Sequence, residues 1–292
     1  MTEPRASGEA VAPRLAVASF QDIVARALAE DVSSGDLTSE ACVSGDARAT
    51  AYAVARSELV VCGGDVFRQV FMALDPKSVV TLLVPDGAVV PAATKMWRVE
   101  GEARAVLAAE RTALNLTQRM CGVATMARRY VAALPENAKT RVTDTRKTTP
   151  GLRVLERYAV RVGGAKNHRD NLGAAVLIKD NHVVAAGGIT RAIERARAYA
   201  PHTSRIECEV DSLVQLDEAL AAGADIILLD NMSDEVVAEA VKRAKGRALL
   251  EASGGITLPR IATLARLGVD AISVGALTHS APAADIGLDF EG

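Results

Sequence analysis

Two adjacent cations and two hydroxyls, closed by a Pro-Gly stop, sit in the run Thr143-Asp144-Thr145-Arg146-Lys147-Thr148-Thr149-Pro150-Gly151. A strand expected over 141–145 spills straight into these groups, so fixed positive charge and hydroxyl donors converge on one point. Such a point suits a small, strongly anionic ligand. The surrounding segment agrees: Arg141 to His182 holds nine Lys/Arg against four Asp/Glu, a local +5 in a chain of net charge −2. Arg153, Arg157 and Arg161, at fourfold spacing, read as a solvated basic helix face. That explanation does not cover cations placed at strand ends.

The same placement recurs downstream. Short apolar strands are expected over 141–145, 174–179, 205–210, 225–230, 248–253 and 271–276, and helices fill the intervals. The last four begin 20, 23 and 23 residues apart, the length of one strand-plus-helix unit. Such alternation implies a parallel sheet. Each strand delivers polar groups at its carboxyl end: Arg146 and Lys147, Lys179, Glu209 and Asp211, Asp230 and Asn231, then Ser253. In parallel α/β barrels that edge is where sites are built. The groups divide by chemistry. Arg146, Lys147, His168, Arg169 and Lys179 form a cationic set, and Glu209 and Asp230 form an acidic pair on consecutive strands. Ser253-Gly254-Gly255 and Gly275 through His279 end the last two strands, where glycine lets backbone amides approach phosphate oxygens. A phosphorylated substrate, a metal ion and a second anion would suit these three groups. The bland alternatives are helix caps for His168, Glu209, Asp230 and Asp211, and plain turns for the glycines.

The elements that hold these groups fall into two grammars. The first third is α+β: a helix over 20–30, a loop over 31–38, and strands over 50–55 and 58–62. A helix follows over 65–74. Strands over 79–84 and 88–90 flank Pro85-Asp86-Gly87, which reads as a hairpin turn. A long helix over about 102–134 has one buried face. Only six strands of the second part are clear, so the expectation is α/β: an open, irregular parallel barrel behind an N-terminal α+β sandwich. The boundaries expected are a flexible extension over 1–18, a sandwich domain over 19–118 with 281–292 available to complete it, and a catalytic barrel over 119–280.

Bulk composition excludes other classes. The 292 residues are 49% hydrophobic but only 3% aromatic, with near-neutral charge. A nucleic-acid binder is usually basic across a domain, and a membrane span needs roughly 18 uninterrupted apolar residues; neither is present. Cys42, Cys62, Cys121 and Cys208 lack metal-ligand spacing and read as buried thiols in a reducing cytoplasm. Residues 1–17 lack the pattern of a signal peptide.

TDTRKTTPGLR, GGAKNHRDNL, LIKDNH, IECEVDS, ILLDN, EASGGI and SVGALTHS, in that order, closely resemble the quinolinate phosphoribosyltransferase family. EDVSSGDLTSE and ERTALNLTQRMCGVAT resemble that family's amino-terminal motifs, and the likeness runs from about Phe20 to Phe290. The resemblance implies a dimer, each chain joining a sandwich domain to an open barrel, with assemblies above the dimer left open. It implies transfer of phosphoribose from 5-phosphoribosyl-1-pyrophosphate to the ring nitrogen of quinolinate, with Mg²⁺, and CO₂ release to give nicotinate mononucleotide. Arg146, Lys147, His168, Arg169 and Lys179 correspond to the dicarboxylate pocket, and Arg111 to a residue that reaches the partner's pocket. Glu209 and Asp230 correspond to carboxylates around the ribose and metal. Ser253, Gly254, Gly255, Gly275 and His279 map to the phosphate side. The catalytic set is Lys147, Lys179, Glu209 and Asp230, with the lysine that protonates the ring carbon left open. Rival readings are a Schiff-base aldolase on Lys147 or Lys179, a related transferase with another acceptor, and a non-catalytic binder of the sugar pyrophosphate.

Overall fold

Residues 14–291 are described by the structure, a computed structural model. Of the extension expected over 1–18, residues 1–13 lie outside the described residues, and Val17–Ser19 forms one 3-10 turn. Helix α1 (Gln21–Val32) follows, then α2 (Leu37–Cys42), whose short length leaves Cys42 exposed at its end, whereas Cys62, Cys121 and Cys208 are buried as expected. The loop expected over 31–38 therefore ends early. Asp36 caps α2 by accepting the Ser39 amide at 3.0 Å, which satisfies one of the helix's free donors.

Next come β1 (Arg48–Ala55), β2 (Leu59–Val60), α3 (Gly64–Leu74), β3 (Val79–Leu82), β4 (Val89–Val90) and β5 (Lys95–Glu102). The hairpin expected around Pro85-Asp86-Gly87 does not form. β3 pairs with β5, whereas β4 pairs with β2, so the turn passes between two sheets. Its carboxylate explains why. Asp86 accepts the Gly63 and Gly64 amides at 2.8 and 3.1 Å, at the start of α3, and the Tyr158 hydroxyl at 2.8 Å. Strand β5 was also not anticipated. It buries Met96, Trp97 and Val99, and Trp97 packs on Phe67 with ring centroids 4.9 Å apart.

Helix α4 (Ala103–Ala132) runs through residues 118 and 119, where the sequence reading places a domain boundary. It buries Val106, Ala113, Leu114, Met120 and Cys121. Alternation then takes over, through β6 (Arg141–Thr143), α5 (Arg153–Val162), β7 (Val176–Ile178), α6 (Asp180–Ala186), α7 (Ile189–Tyr199) and β8 (Ile206–Val210). It continues through α8 (Leu213–Ala221), β9 (Ile226–Asp230), α9 (Asp234–Ala244), β10 (Leu249–Ser253), α10 (Arg260–Leu267), β11 (Ala271–Ser273) and α11 (Ala276–His279). The last strand, β12 (Ile286–Phe290), returns to the antiparallel sheet, whose order is β12-β1-β5-β3.

The six barrel strands form one sheet ordered β6-β11-β10-β9-β8-β7, with every pairing parallel. β6 and β7 are its edges, so the barrel is open, as the sequence implies. Lys166 bridges to Thr143 along the β6 side of the opening. Three strands, β6, β7 and β11, have 3 residues each and are markedly shorter than expected. β6 stops at Thr143 because Asp144, fully buried, accepts the His168 amide and the Asn167 side chain, each at 2.7 Å. β11 stops at Ser273 because Gly275 begins the turn into α11.

The Phe67–Trp97 contact gives a direct stability test. Phe67→Ala should cost roughly 3–5 kcal/mol through lost burial and the cavity left behind. Urea unfolding followed by the fluorescence of the single tryptophan measures it, and a loss below about 1 kcal/mol would contradict this packing.

Candidate active site

The carboxyl ends of the barrel strands surround a cavity of about 910 Å³. Its walls hold Arg146 and Lys147 after β6, His168 and Arg169 before β7, and Lys179 just after β7. Glu209 and Asp230 come from β8 and β9. Ser253, Gly254 and Gly255 end β10, and Gly275 and His279 bracket α11. Every site residue expected from the sequence therefore lines one cavity except Arg111, which lies exposed on α4. A parallel sheet explains the convergence, since all its strands end on the same edge.

Local geometry fits these groups to polar ligands. Gly254 and Gly255 both have positive φ, 84° and 57°. A Cβ on Gly254 would lie 2.2 Å from Asn231 Oδ1, so no side chain fits there. At Gly275 a Cβ would meet the His279 ring at 3.0 Å and Lys147 Cδ at 3.1 Å, so the bare glycine lets both approach. Lys179 pairs with Glu209 across the cavity wall. Neither lysine is desolvated: Lys147 is exposed and the Lys179 side chain is 46% exposed, unlike the buried amine of a Schiff-base aldolase.

The alternative capping roles are settled by the helix starts. Ser212 caps α8 and Ser233 caps α9, which leaves Asp211, Glu209 and Asp230 without that duty. His182 accepts the Lys179 amide at 2.9 Å and belongs to the start of α6.

Arg153 and Arg157 are not the solvated face that their spacing suggests. The Arg157 side chain is 13% exposed and pairs with Asp144 at 3.5 Å and Asp170 at 3.2 Å. It also donates to the His168 and Arg169 carbonyls, at 2.8 and 3.2 Å. Arg153 donates to the Thr148 hydroxyl at 2.9 Å and the Asp170 carbonyl at 3.1 Å. Between them on α5, buried Glu156 accepts the Thr149 amide at 3.1 Å and pairs with Arg119 at 2.8 Å. Thr278 donates to the Lys147 carbonyl at 2.7 Å. The loops bearing the cations are thus held by their backbones, and Arg169 also gives one guanidinium N–H to the Ala175 carbonyl at 3.1 Å. Arg161 alone of the three arginines keeps to the exposed surface.

The sequence reading also missed the buried acids beneath the cavity. Glu207 and Glu251 are 4% and 5% exposed. A signal existed: Glu207 and Glu209 are two apart on one strand, as are Glu251 and Ser253, so each pair shares a face. His168 Nε2 lies 3.2 Å from Glu207 and 3.5 Å from Glu251. The Glu207 hydrogen bond pulls the His168 pKa above its ordinary value, against the effect of burial. A second ring proton could sit only on Nδ1, where the Arg169 amide already donates at 2.7 Å. The geometry therefore supports the neutral tautomer with its proton on Nε2. Burial raises the Asp144 pKa, and the Arg157 charge opposes that rise. Burial, then Arg146, lowers the Arg169 pKa.

The Asp144–Arg157 pair should behave as a buried ion pair. Arg157→Met strands the carboxylate and should destabilise by roughly 3–5 kcal/mol. Adding Asp144→Asn should recover part of that loss, and denaturant unfolding of the single and double variants reads both. Equal stability of Arg157→Met and the wild type would refute it.

Two family models match successive parts of the chain. Residues 36–121 match the family model for the quinolinate phosphoribosyl transferase N-terminal domain, and residues 123–289 match that for its C-terminal domain. A probable nicotinate-nucleotide pyrophosphorylase [carboxylating] of Bacillus subtilis is 42% identical over 260 residues, covering 89% of each chain. The nicotinate-nucleotide pyrophosphorylase [carboxylating] of Homo sapiens is 40% identical over 252 residues, covering 85% of this chain and 84% of its own. The crystal structure of NadC from Streptococcus pyogenes superposes with a TM-score of 0.90 at 40% identity, covering 96% of this chain and 99% of that one.

Proposed function

The chain belongs to the quinolinate phosphoribosyltransferase family, and on that premise we propose that it makes nicotinate mononucleotide for NAD biosynthesis. Phosphoribose passes from 5-phosphoribosyl-1-pyrophosphate to the ring nitrogen of quinolinate, and pyrophosphate and CO₂ leave. The observation that carries this reading is one cavity with guanidinium and ammonium groups on one side and a carboxylate pair beside glycine turns on the other.

Arg146, Lys147, Arg169 and Lys179 receive the two carboxylates of quinolinate, with the His168 ring behind Arg169. The backbone of Ser253, Gly254 and Gly255, with Gly275 and His279, takes the phosphate side. As pyrophosphate departs, the ribose carbon gains oxocarbenium character, and Glu209 and Asp230 stabilise that charge. Attack by the ring nitrogen gives a pyridinium. It accepts the electron pair left when the C–CO₂ bond breaks, and a proton then closes the ring carbon; both Lys147 and Lys179 are placed to supply it.

Glu209 and Asp230 also fit a magnesium ion. They end neighbouring strands and face the same cavity, and Mg²⁺ is usually held by one or two carboxylates plus phosphate and water. When bound, the ion neutralises charge on the pyrophosphate. The assembly proposed is a homodimer in which Arg111, exposed and away from its own cavity, enters the partner's. The cytoplasm is its place of work, a setting in which the free thiols of Cys62 and Cys121 stay reduced. Among the described residues no helix is long and apolar enough to cross a membrane.

Purified protein with Mg²⁺, the sugar pyrophosphate and quinolinate should release CO₂ and mononucleotide. Nicotinate, which leaves two cations unanswered, should be turned over about 10⁴-fold less efficiently. Comparable use of both acids would refute the pocket assignment. Lys147→Ala should abolish turnover while circular dichroism stays unchanged. Co-expressing Lys147→Ala with Arg111→Ala should restore activity to roughly a quarter of wild-type sites, because half the dimers then hold one complete pocket. No restoration would show that Arg111 does not act across the interface.

A further inference from the structure

An anion pocket with acids in its floor poses an electrostatic problem. Glu207 on β8 and Glu251 on β10 both approach one nitrogen, His168 Nε2, at 3.2 and 3.5 Å. Because Nδ1 accepts the Arg169 amide, the ring has a single N–H to offer, and it cannot serve two carboxylates. Glu207 is nearer and takes it. Glu251 Oε1 is left buried without a hydrogen-bond partner. An ionised carboxylate in that position is strongly disfavoured, and retaining its proton removes the penalty.

The three residues offer ligand atoms within 4.8 Å of one another, which suggests a metal site. The tautomer argues otherwise. A metal needs the Nε2 lone pair, and that nitrogen carries the proton.

The groups facing Glu251 come from every side. Glu207 and His168 adjoin it, Asp144 lies beyond β6, and Ser273 contributes a hydroxyl from β11. On β9 the residue in register is apolar Leu228. Asp144 is already answered by Arg157. Burial comes first and the Glu207 charge second, and together they lift the Glu251 pKa to about 7, against His168 and Ser273.

We propose that Glu251 is a positioning residue of the dicarboxylate pocket and that its retained proton is a condition for ligand binding. As a neutral acid it backs the His168 ring, which in turn fixes the Arg169 amide. The floor then carries the charge of Glu207 alone when a dianion enters. This rests on the assignment of the cavity to quinolinate. The sign follows from the raised pKa: the neutral, binding-competent form dominates below about 7, and affinity falls as pH rises through that value. Above it, binding the dianion draws a proton back onto Glu251.

Steady-state KM for quinolinate between about pH 6 and 8.5 tests the proposal, since both ligand carboxyls are ionised throughout. Wild-type KM should be flat at the acid end and climb towards tenfold per pH unit above the transition. Glu251→Gln, the uncharged isostere, should vary less than about threefold across the range. A Glu251→Gln profile with the wild-type slope overturns the proposal. Calorimetry of quinolinate binding to the wild type at about pH 7.5, in two buffers of different ionisation enthalpy, needs no variant. It should show net proton uptake, and none overturns the proposal. Wild-type protein that neither binds nor turns over quinolinate removes the functional assignment along with it, whereas normal turnover with an unchanged slope counts against Glu251 alone.

Discussion

Gathering like charges at one mouth is the constraint on which the rest of the molecule depends. Arg146, Lys147, Arg169 and Lys179 line one cavity, and burial, then the Arg146 charge, lowers the Arg169 pKa. The fold answers from behind and below. Asp144, Glu156 and Glu207 are buried acids, each with a basic or imidazole partner, Arg157, Arg119 or His168. Asp144 and Glu156 are thereby paired with full positive charges, and Glu207 keeps its charge against the N–H of the His168 ring. Glu251 is the one floor carboxyl whose oxygen lacks a donor, which is why its proton matters.

Rigidity comes from the backbone more than from the side chains. The two cation-bearing loops are irregular, yet their carbonyls and amides are taken by α5 through Arg153, Glu156 and Arg157, and by Thr278 from α11. Loops held this way lose little conformational entropy on binding. Helix α5 therefore couples two strand ends, β6 and the segment before β7, at the side where the barrel is open. An open sheet has a free edge there, and Lys166 bridging to Thr143 occupies part of it.

The periodic features were readable before any coordinates. Strand-plus-helix spacing of 20–23 residues marks the parallel sheet, because it leaves room for a short strand and the crossover of about a dozen residues or more that parallel neighbours need. The polar residues at strand ends marked the mouth, because parallel strands end together. Errors arose where a side chain far along the chain decided the local structure. Asp86 looked like a hairpin residue but is spent capping α3 and holding Tyr158. Arg153 and Arg157 looked solvent-facing from fourfold spacing alone, because periodicity gives a face but not what covers it.

What the sequence determined by itself was the architecture of the second half, the identity of the groups at its mouth and the family to which they belong. Those follow from local period and residue type. Tertiary structure alone decided which carboxylates are buried, which arginines serve the backbone and where the proton of the floor resides. Those depend on dielectric and on partners brought in from other elements, and neither is written in local pattern. Glu207 and Glu209 show the division within a single strand. They are alike in sequence and share a face, yet one is sealed against His168 and the other lines the cavity, paired with Lys179.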